Sequence, residues 1–353
     1  MAPPLLEIKE LSIHFHTDYG VVKAISEASL RIGHEEIVGL VGESGCGKTT
    51  IARAILRVIP TPPGEIEEGA ILFDGEDLLR LSPQQMEQKI RGSAITFIPQ
   101  DPLLSLNPVF KIRTQIMDLL AWKVIEKANG NGWTGRMGRR WRSLRPWPTG
   151  REKSSLERIV EIFREVQLPA PLLQLNKLPH ELSGGQRQRI MIAMALLTHP
   201  RLIIADEPTT ALDVTVQAQI IRLLRKLVRE HGASVLFITH DLGVAKEICD
   251  RIVVLYAGQE MESAPQDQFF KRPSHPYTRR LLDSLPNVRG KIVDIPGEVP
   301  NLIRPPVGCR FHPRCDRVQP ICSERRPPAD EITSEHWVRC FNPVRYDLRR
   351  KDE

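Results

Sequence analysis

Residues 42–50 read GESGCGKTT, a G-x-x-x-x-G-K-[ST] run that follows an apolar stretch at 37–41 and opens a helical pattern. In that setting the run is a phosphate cradle, because glycines let backbone N–H groups close around oxygens while the helix start adds its dipole. The candidate set is Gly42, Glu43, Ser44, Gly45, Cys46, Gly47, Lys48, Thr49 and Thr50. Lys48 would reach the β- and γ-phosphates of a nucleotide and the Thr49 hydroxyl would hold Mg²⁺. Cys46 reads as a tolerated small residue.

Two further stretches add chemistry. LIIADEP, at 202–208, sets Asp206 and Glu207 after a buried apolar run. Two carboxylates after a strand commonly cap a helix. Beside a phosphate cradle, Asp206 becomes the Mg²⁺ partner and Glu207 is placed to orient and deprotonate a water. LSGGQRQR, at 182–189, offers a second anion site through the Ser183 hydroxyl and the N–H groups of Gly184, Gly185 and Gln186 at a helix start. One nucleotide does not need two such cradles from one chain, so the second is expected to serve a nucleotide held by a partner.

The elements that must position these residues follow from periodicity. Short, apolar, β-branched-rich runs at 37–41, 202–205, 235–239 and 252–256 alternate with helical patterns from about residue 6 to 256. That alternation is expected for an α/β fold with a mostly parallel sheet whose strands are covered on both faces. The first three runs lead into the glycine loop, into Asp206 and Glu207, and into His240. Ligands of open α/β sheets bind at the carboxyl ends of strands, so these polar residues are expected to converge. Between about 101 and 181 the pattern is mainly helical, with 115–125 and 155–166 as the best helices and a Gly/Trp/Arg-rich insert at about 129–150. Beyond about residue 258 the sequence turns proline-dense and irregular, and no internal repeat is visible.

The whole chain bounds the function class. Its 353 residues suit one large core and a smaller appended unit. No apolar run approaches the ~18 residues of a membrane span, and the N-terminus lacks the marks of a secretory leader, so a cytosolic location is expected. The net charge of +6 is local: residues 121–153 hold nine Lys/Arg against two Glu, along with four of the five Trp, and the remainder is close to neutral. Basic residues beside Trp suit anionic lipid headgroups or nucleic-acid phosphates and bases.

Cys309, Cys315, Cys322 and Cys340 gather in the C-terminal tail, in GCRFHPRCDRVQPIC and beyond. A reducing compartment disfavours disulfides; four unrelated small buried residues are the plainer alternative, against which a tail this poor in apolar residues would benefit from a metal staple. The intervals of five, six and seventeen residues lack the short C-x₂₋₄-C knuckle of structural zinc, yet four thiolates could hold zinc or an iron–sulfur cluster. Spacing alone does not choose between them.

In their joint order, these motifs resemble the ATPase subunit of an ABC transporter. The resemblance implies a P-loop NTPase with a RecA-like core, an antiparallel β subdomain and a helical subdomain at about 101–182. Two such subunits dock head to tail, each ATP lying between the Walker A motif of one (42–50) and the signature motif of the other (182–186). Residues 202–207 match Walker B with Glu207 as the catalytic base. Gln100, in FIPQDP, matches the glutamine that senses Mg²⁺ and the attacking water. Ala211, Leu212 and Asp213 match the D-loop, His240 in ITHD the switch histidine, and Tyr19 the adenine-stacking aromatic, with Phe15 nearby.

DPLLSLNP, PHELSGGQRQRIMIAMAL, HPYTRRLLDSLP and the cysteine tail narrow the resemblance to the oligopeptide/dipeptide (Opp/Dpp) importer branch. It implies an ATPase domain at 1–260, an extension at 261–353, and a [4Fe–4S] cluster on Cys309, Cys315, Cys322 and Cys340, with zinc the alternative; His312 is left outside the ligand set. Implied partners are a second, paralogous ATPase, two membrane permease subunits and an extracytoplasmic binding protein, at the cytoplasmic face of the inner membrane. The basic insert is somewhat similar to that of Sap-type subunits, and contact with lipid or membrane subunits ranks above nucleic acid. Peptide uptake is the leading reading. Antimicrobial peptides or nickel complexes are alternatives, and a soluble ABC ATPase acting on nucleic acid or ribosomes ranks lower.

Overall fold

The computed structural model describes residues 3–122, 150–210, 212–285 and 295–346, the side chains at 150–153 excepted. Nearly all of the basic insert, and Ala211 of the expected D-loop, lie outside the described residues. Two compact units divide the chain, one formed by 1–81 with 234–353 and the other by 82–233.

In chain order the first segment holds β1 (Leu6–Thr17), β2 (Gly20–Ile32), β3 (Ile37–Val41), α1 (Lys48–Ile55), β4 (Gly64–Phe73) and β5 (Glu76–Asp77). The second unit holds β6 (Ile95–Ile98), α2 (Ile112–Leu120), α3 (Gly150–Glu165), α4 (Gly184–Leu196), β7 (Leu202–Asp206) and α5 (Val214–His231). The chain then returns to the first unit with β8 (Ser234–Thr239), α6 (Leu242–Ile248), β9 (Arg251–Tyr256), β10 (Gln259–Pro265), α7 (Pro276–Asp283), β11 (Asp330–Thr333) and β12 (His336–Val338).

Within the first unit, β3 runs parallel between β8 and β9. All residues of β3 and β8 are buried, as an unbroken apolar strand requires when both faces are covered. β10 folds back antiparallel on β9, β12 pairs antiparallel with β10, and β11 pairs with β12. A separate antiparallel sheet has the order β2-β1-β4-β5, its inner face carrying Leu6, Ile8, Leu11 and Ile13.

The boundary expected near residue 260 falls inside β10, and the tail adds β12 to that strand through Glu262 opposite Val338. A buried carboxylate anchors this junction. Glu262 accepts from the N–H groups of Ser274 (2.7 Å) and His275 (2.8 Å), and lies 2.7 Å from His336 Nε2.

In the second unit β6 and β7 run parallel. The helix expected at 115–125 starts earlier, at Ile112, and the one expected at 155–166 starts at Gly150. The strand expected at 202–205 extends through Asp206, which therefore ends the strand instead of following it. Asp213 caps α5 by accepting from Val216 N–H at 2.9 Å, and left-handed Gly232 closes its far end.

Candidate functional site

The glycine loop of the first unit is built by steric necessity. Gly42 has φ 154°, and a Cβ there would fall 2.1 Å from the Leu255 carbonyl oxygen. Gly47 has φ 105° at the cap of α1, where a Cβ would fall 2.5 Å from Ile25 and 3.1 Å from the Ala24 oxygen. No side chain caps α1, and a helix start of this kind favours an anion. Lys48 is buried and donates from Nζ to the carbonyls of Gly42 (2.8 Å) and Glu43 (3.1 Å). That resting place is inside the loop, where a phosphate would compete for the same cation. Ser44 and Gly45 are exposed, and Thr49 and Thr50 follow in the first turn of α1. Cys46 is buried, its thiol pushed up by burial, consistent with a small packed residue.

Two other candidates of this unit have defined settings. His240 is exposed directly after β8, and Asp241 beside it caps α6 by accepting from Gly243 (2.8 Å) and Val244 (3.2 Å). Strand end and capped helix together fix the backbone from which His240 projects. Tyr19 stands 90% exposed in the β1–β2 turn, a ring face open to stacking.

The second unit brings Gln100 and Glu207 together. Gln100 Nε2 donates to Glu207 Oε2 at 3.1 Å, and the Thr210 hydroxyl lies 3.1 Å from the same oxygen. Glu207 occupies the left-handed region at φ 46°, a backbone state that costs about 1–3 kcal/mol for a non-glycine residue and concentrates at functional sites. Asp206, immediately before it, is buried.

Ser183 caps α4 in a reciprocal box: Gln186 N–H donates to Ser183 Oγ (3.3 Å) and Ser183 N–H donates to Gln186 Oε1 (3.0 Å). Gly184 and Gly185 give α4 close approach to the next segment, since Cβ atoms there would meet Leu212 at 3.3 Å and Val216 at 2.9 Å. The signature turn thus packs against Leu212 of the D-loop and Val216 of α5, and Gln100, Gly184 and Leu212 line the same small hollow.

The four tail cysteines converge. Cys309, Cys322 and Cys340 are buried and Cys315 is half-buried. Cys309 N–H donates to the Cys322 carbonyl at 2.9 Å. Arg317 N–H donates to Cys315 Sγ at 3.4 Å, and the backbone N–H groups of Phe311 and Asn342 reach Cys309 and Cys340. Burial, opposed by those N–H groups and reinforced by the neighbouring thiols, pushes Cys309 up to about 11 and Cys340 up to about 12. His312 turns away, its Nδ1 lying 2.9 Å from the Cys309 carbonyl.

With this geometry in view, comparison defines the class. Residues 25–210 match the ABC transporter family and residues 261–322 match the oligopeptide/dipeptide transporter C-terminal region. The chain belongs to the ABC transporter family, in the branch that bears this C-terminal region. It is 42% identical over 341 residues to the probable peptide ABC transporter ATP-binding protein y4tR of Sinorhizobium fredii, covering 96% of this chain and 94% of the relative. Identity to the oligopeptide transport ATP-binding protein OppD of Bacillus subtilis is 41% over 341 residues, covering 96% of this chain and 88% of the relative. For OppD of Escherichia coli it is 40%, covering 97% and 94%. Among solved structures, the ATP-binding cassette MJ0796, in a dimeric post-hydrolysis state bound to ADP and Pi, superposes with a TM-score of 0.59 at 26% identity over 74% of this chain and 98% of that one.

Sequence reasoning missed three side chains at these sites. Thr210 adjoins the D-loop motif but has no spacing signal of its own. Arg314 and Tyr277 reach Glu43 from more than 230 residues away. Tyr277 stands within HPYTRRLLDSLP, a stretch that carried family resemblance without a role.

Proposed function

We propose that this chain is the ATP-hydrolysing subunit of an importer that drives di- or oligopeptides across a membrane. The observation that carries the reading is one chain holding both an ABC cassette and the oligopeptide/dipeptide C-terminal region, with relatives named for peptide transport that match along nearly its whole length. ATP binds to the loop 42–50, with Tyr19 against the adenine and Lys48 on the β- and γ-phosphates. Thr49, Gln100 and Asp206 hold Mg²⁺, a set of hard oxygen donors suited to that ion. Glu207 takes the proton from the attacking water and His240 contacts the γ-phosphate. Ser183, Gly184, Gly185, Gln186 and the D-loop through Asp213 serve the ATP of a second, paralogous ATPase.

Two permease subunits and an extracytoplasmic binding protein complete the assembly, placing this chain at the cytoplasmic membrane face. No helix among the described residues is long and apolar enough to cross a membrane. The basic, Trp-bearing segment is read, on composition, as a contact for lipid headgroups or the permease.

Cys309, Cys315, Cys322 and Cys340 are the ligands we assign to a [4Fe–4S] cluster, with zinc the alternative. Four neighbouring thiols with N–H groups on three of the sulfurs suit an iron–sulfur group. When bound, the group supplies a covalent clamp on a tail with little apolar core.

Affinity purification of the chain from its own membranes tests the assignment. Recovery of a second ATPase and two integral membrane subunits is expected; recovery of ribosomes or nucleic acid instead would overturn it.

A further inference from the structure

We propose that Arg314 and Tyr277, both from the C-terminal region, are positioning residues for the phosphate loop, holding Glu43 so that Gly42 and Glu43 form a fixed wall behind Lys48. The proposal rests on the reading of residues 42–50 as the ATP site.

The contacts all lie within the first unit. Arg314 forms a two-pronged pair with Glu43, from Nη1 to Oε2 at 2.8 Å and from Nη2 to Oε1 at 3.2 Å. The guanidinium is itself held, because Nε donates to the Pro296 carbonyl (3.0 Å), Nη2 to the Ile295 carbonyl (3.1 Å) and Nη1 to Tyr256 Oη (3.2 Å). Its side chain is 5% exposed, so solvent screens the pair weakly. A planar fork meeting a carboxylate in this way fixes direction as well as distance, which a lysine cannot do.

Tyr277 acts on the same residue through its backbone. Its hydroxyl oxygen accepts from Glu43 N–H at 3.1 Å. Its ring is buried among Tyr256 and Phe311, with centroids 4.6 and 5.2 Å away. The Glu43 amide is thereby spoken for, and its carbonyl accepts from Cys46 N–H at 3.3 Å, so both backbone groups of Glu43 are held within the loop. A third strut runs from Arg310, which donates to the Ala257 carbonyl and to Ser26 Oγ (2.6 Å). The next residue in that turn, Gly258, donates its N–H to the Cys46 carbonyl at 2.9 Å.

The consequence falls on Lys48. Its two carbonyl acceptors belong to Gly42 and Glu43, the residues so held. A loop free to shift at Glu43 would carry the ammonium with it and lose preorganisation for the phosphates, which is paid for on binding. Arg314 and Tyr277 touch no reacting atom, so they act on affinity and leave the saturated rate alone.

The test is equilibrium titration of the full chain with MgATP, beside steady-state ATPase kinetics. Arg314→Ala is expected to bind MgATP about tenfold more weakly, the size of one charge-assisted hydrogen bond, and to raise KM with kcat near that of the wild type. Arg314→Lys should recover part of the loss, and Tyr277→Phe, which keeps the ring and deletes the oxygen, should show a smaller loss of the same sign. Arg314→Ala within about twofold of wild type in both affinity and KM overturns the proposal. Should Arg314→Ala fail to fold, Tyr277→Phe decides on the same two readouts, and unchanged affinity overturns it. Lys48→Ala separates the two levels: if it abolishes binding while Arg314→Ala and Tyr277→Phe leave affinity and KM within about twofold of wild type, only the brace fails. If Lys48→Ala binds normally, the ATP-site reading fails as well.

Discussion

Gln100 donates from Nε2 to Glu207 Oε2 across 3.1 Å, so the side chain read as the sensor of Mg²⁺ and water directly holds the one read as the base. Thr210 lies on the same oxygen at 3.1 Å, so two side chains meet at Oε2. Two contacts on one oxygen fix the direction of the carboxylate, which general-base catalysis requires.

Removing either contact should loosen that orientation. Gln100→Ala and Thr210→Val are each expected to lower kcat by at least about fivefold, the value of one net hydrogen bond, with larger loss for Gln100 if it also serves Mg²⁺ as proposed. Single-turnover ATP hydrolysis measures both. Wild-type rates in both variants would mean that the contacts do not orient the base.

Gly42→Ala should fail for a steric reason. A Cβ at Gly42 would lie 2.1 Å from the Leu255 carbonyl oxygen, and backbone cannot swing aside as a side chain can. A loss of about 1–3 kcal/mol in stability is expected, together with loss of MgATP binding. Thermal unfolding and nucleotide titration of the variant would show it.

His275 sets a pH dependence. It is fully buried, its Nδ1 accepts from Tyr277 N–H at 3.0 Å, and burial pushes it down from 6.5 to about 4, only partly opposed by the nearby Glu262. The unfolded chain takes up a proton on this ring near pH 6.5 whereas the folded chain resists until about 4. Its contribution to stability is therefore complete above pH 6.5 and is lost as pH falls through that window. His275→Asn, which keeps a capping oxygen and cannot titrate, should flatten the fall in denaturation midpoint between those two pH values. An unchanged slope would remove His275 as its cause.

The cysteine site is tested by composition. Chain purified without oxygen is expected to contain iron and acid-labile sulfide in equal amounts, about four of each, and to lose most of both in Cys309→Ser or Cys322→Ser. Stoichiometric zinc without sulfide would replace the cluster with a ZnS₄ site.

Much of the site was legible because its chemistry is local. The glycine φ angles, the helix starting at Lys48 and the Ser183 cap are each set within a few residues, so spacing carried them. The strands at 37–41 and 235–239 were legible because burial on both faces demands unbroken apolar runs. DEIT and HWV were not, being short and partly exposed; they become strands by pairing with β10 and each other. Arg314 and Tyr277 stayed hidden because their partner, Glu43, is set by tertiary contact across the chain. Glu207 gave no hint of its left-handed backbone, because the residue type ordinarily avoids it.

The most direct test of the account is Glu207→Gln, measured for MgATP binding and steady-state hydrolysis in the same preparation. The substitution keeps the shape and an acceptor for Gln100 but removes the carboxylate proposed as the base. MgATP affinity near wild type is expected, with turnover lower by about 10²–10⁴-fold. Sustained hydrolysis at the wild-type rate would contradict Glu207 as the base and, with it, the catalytic site described here.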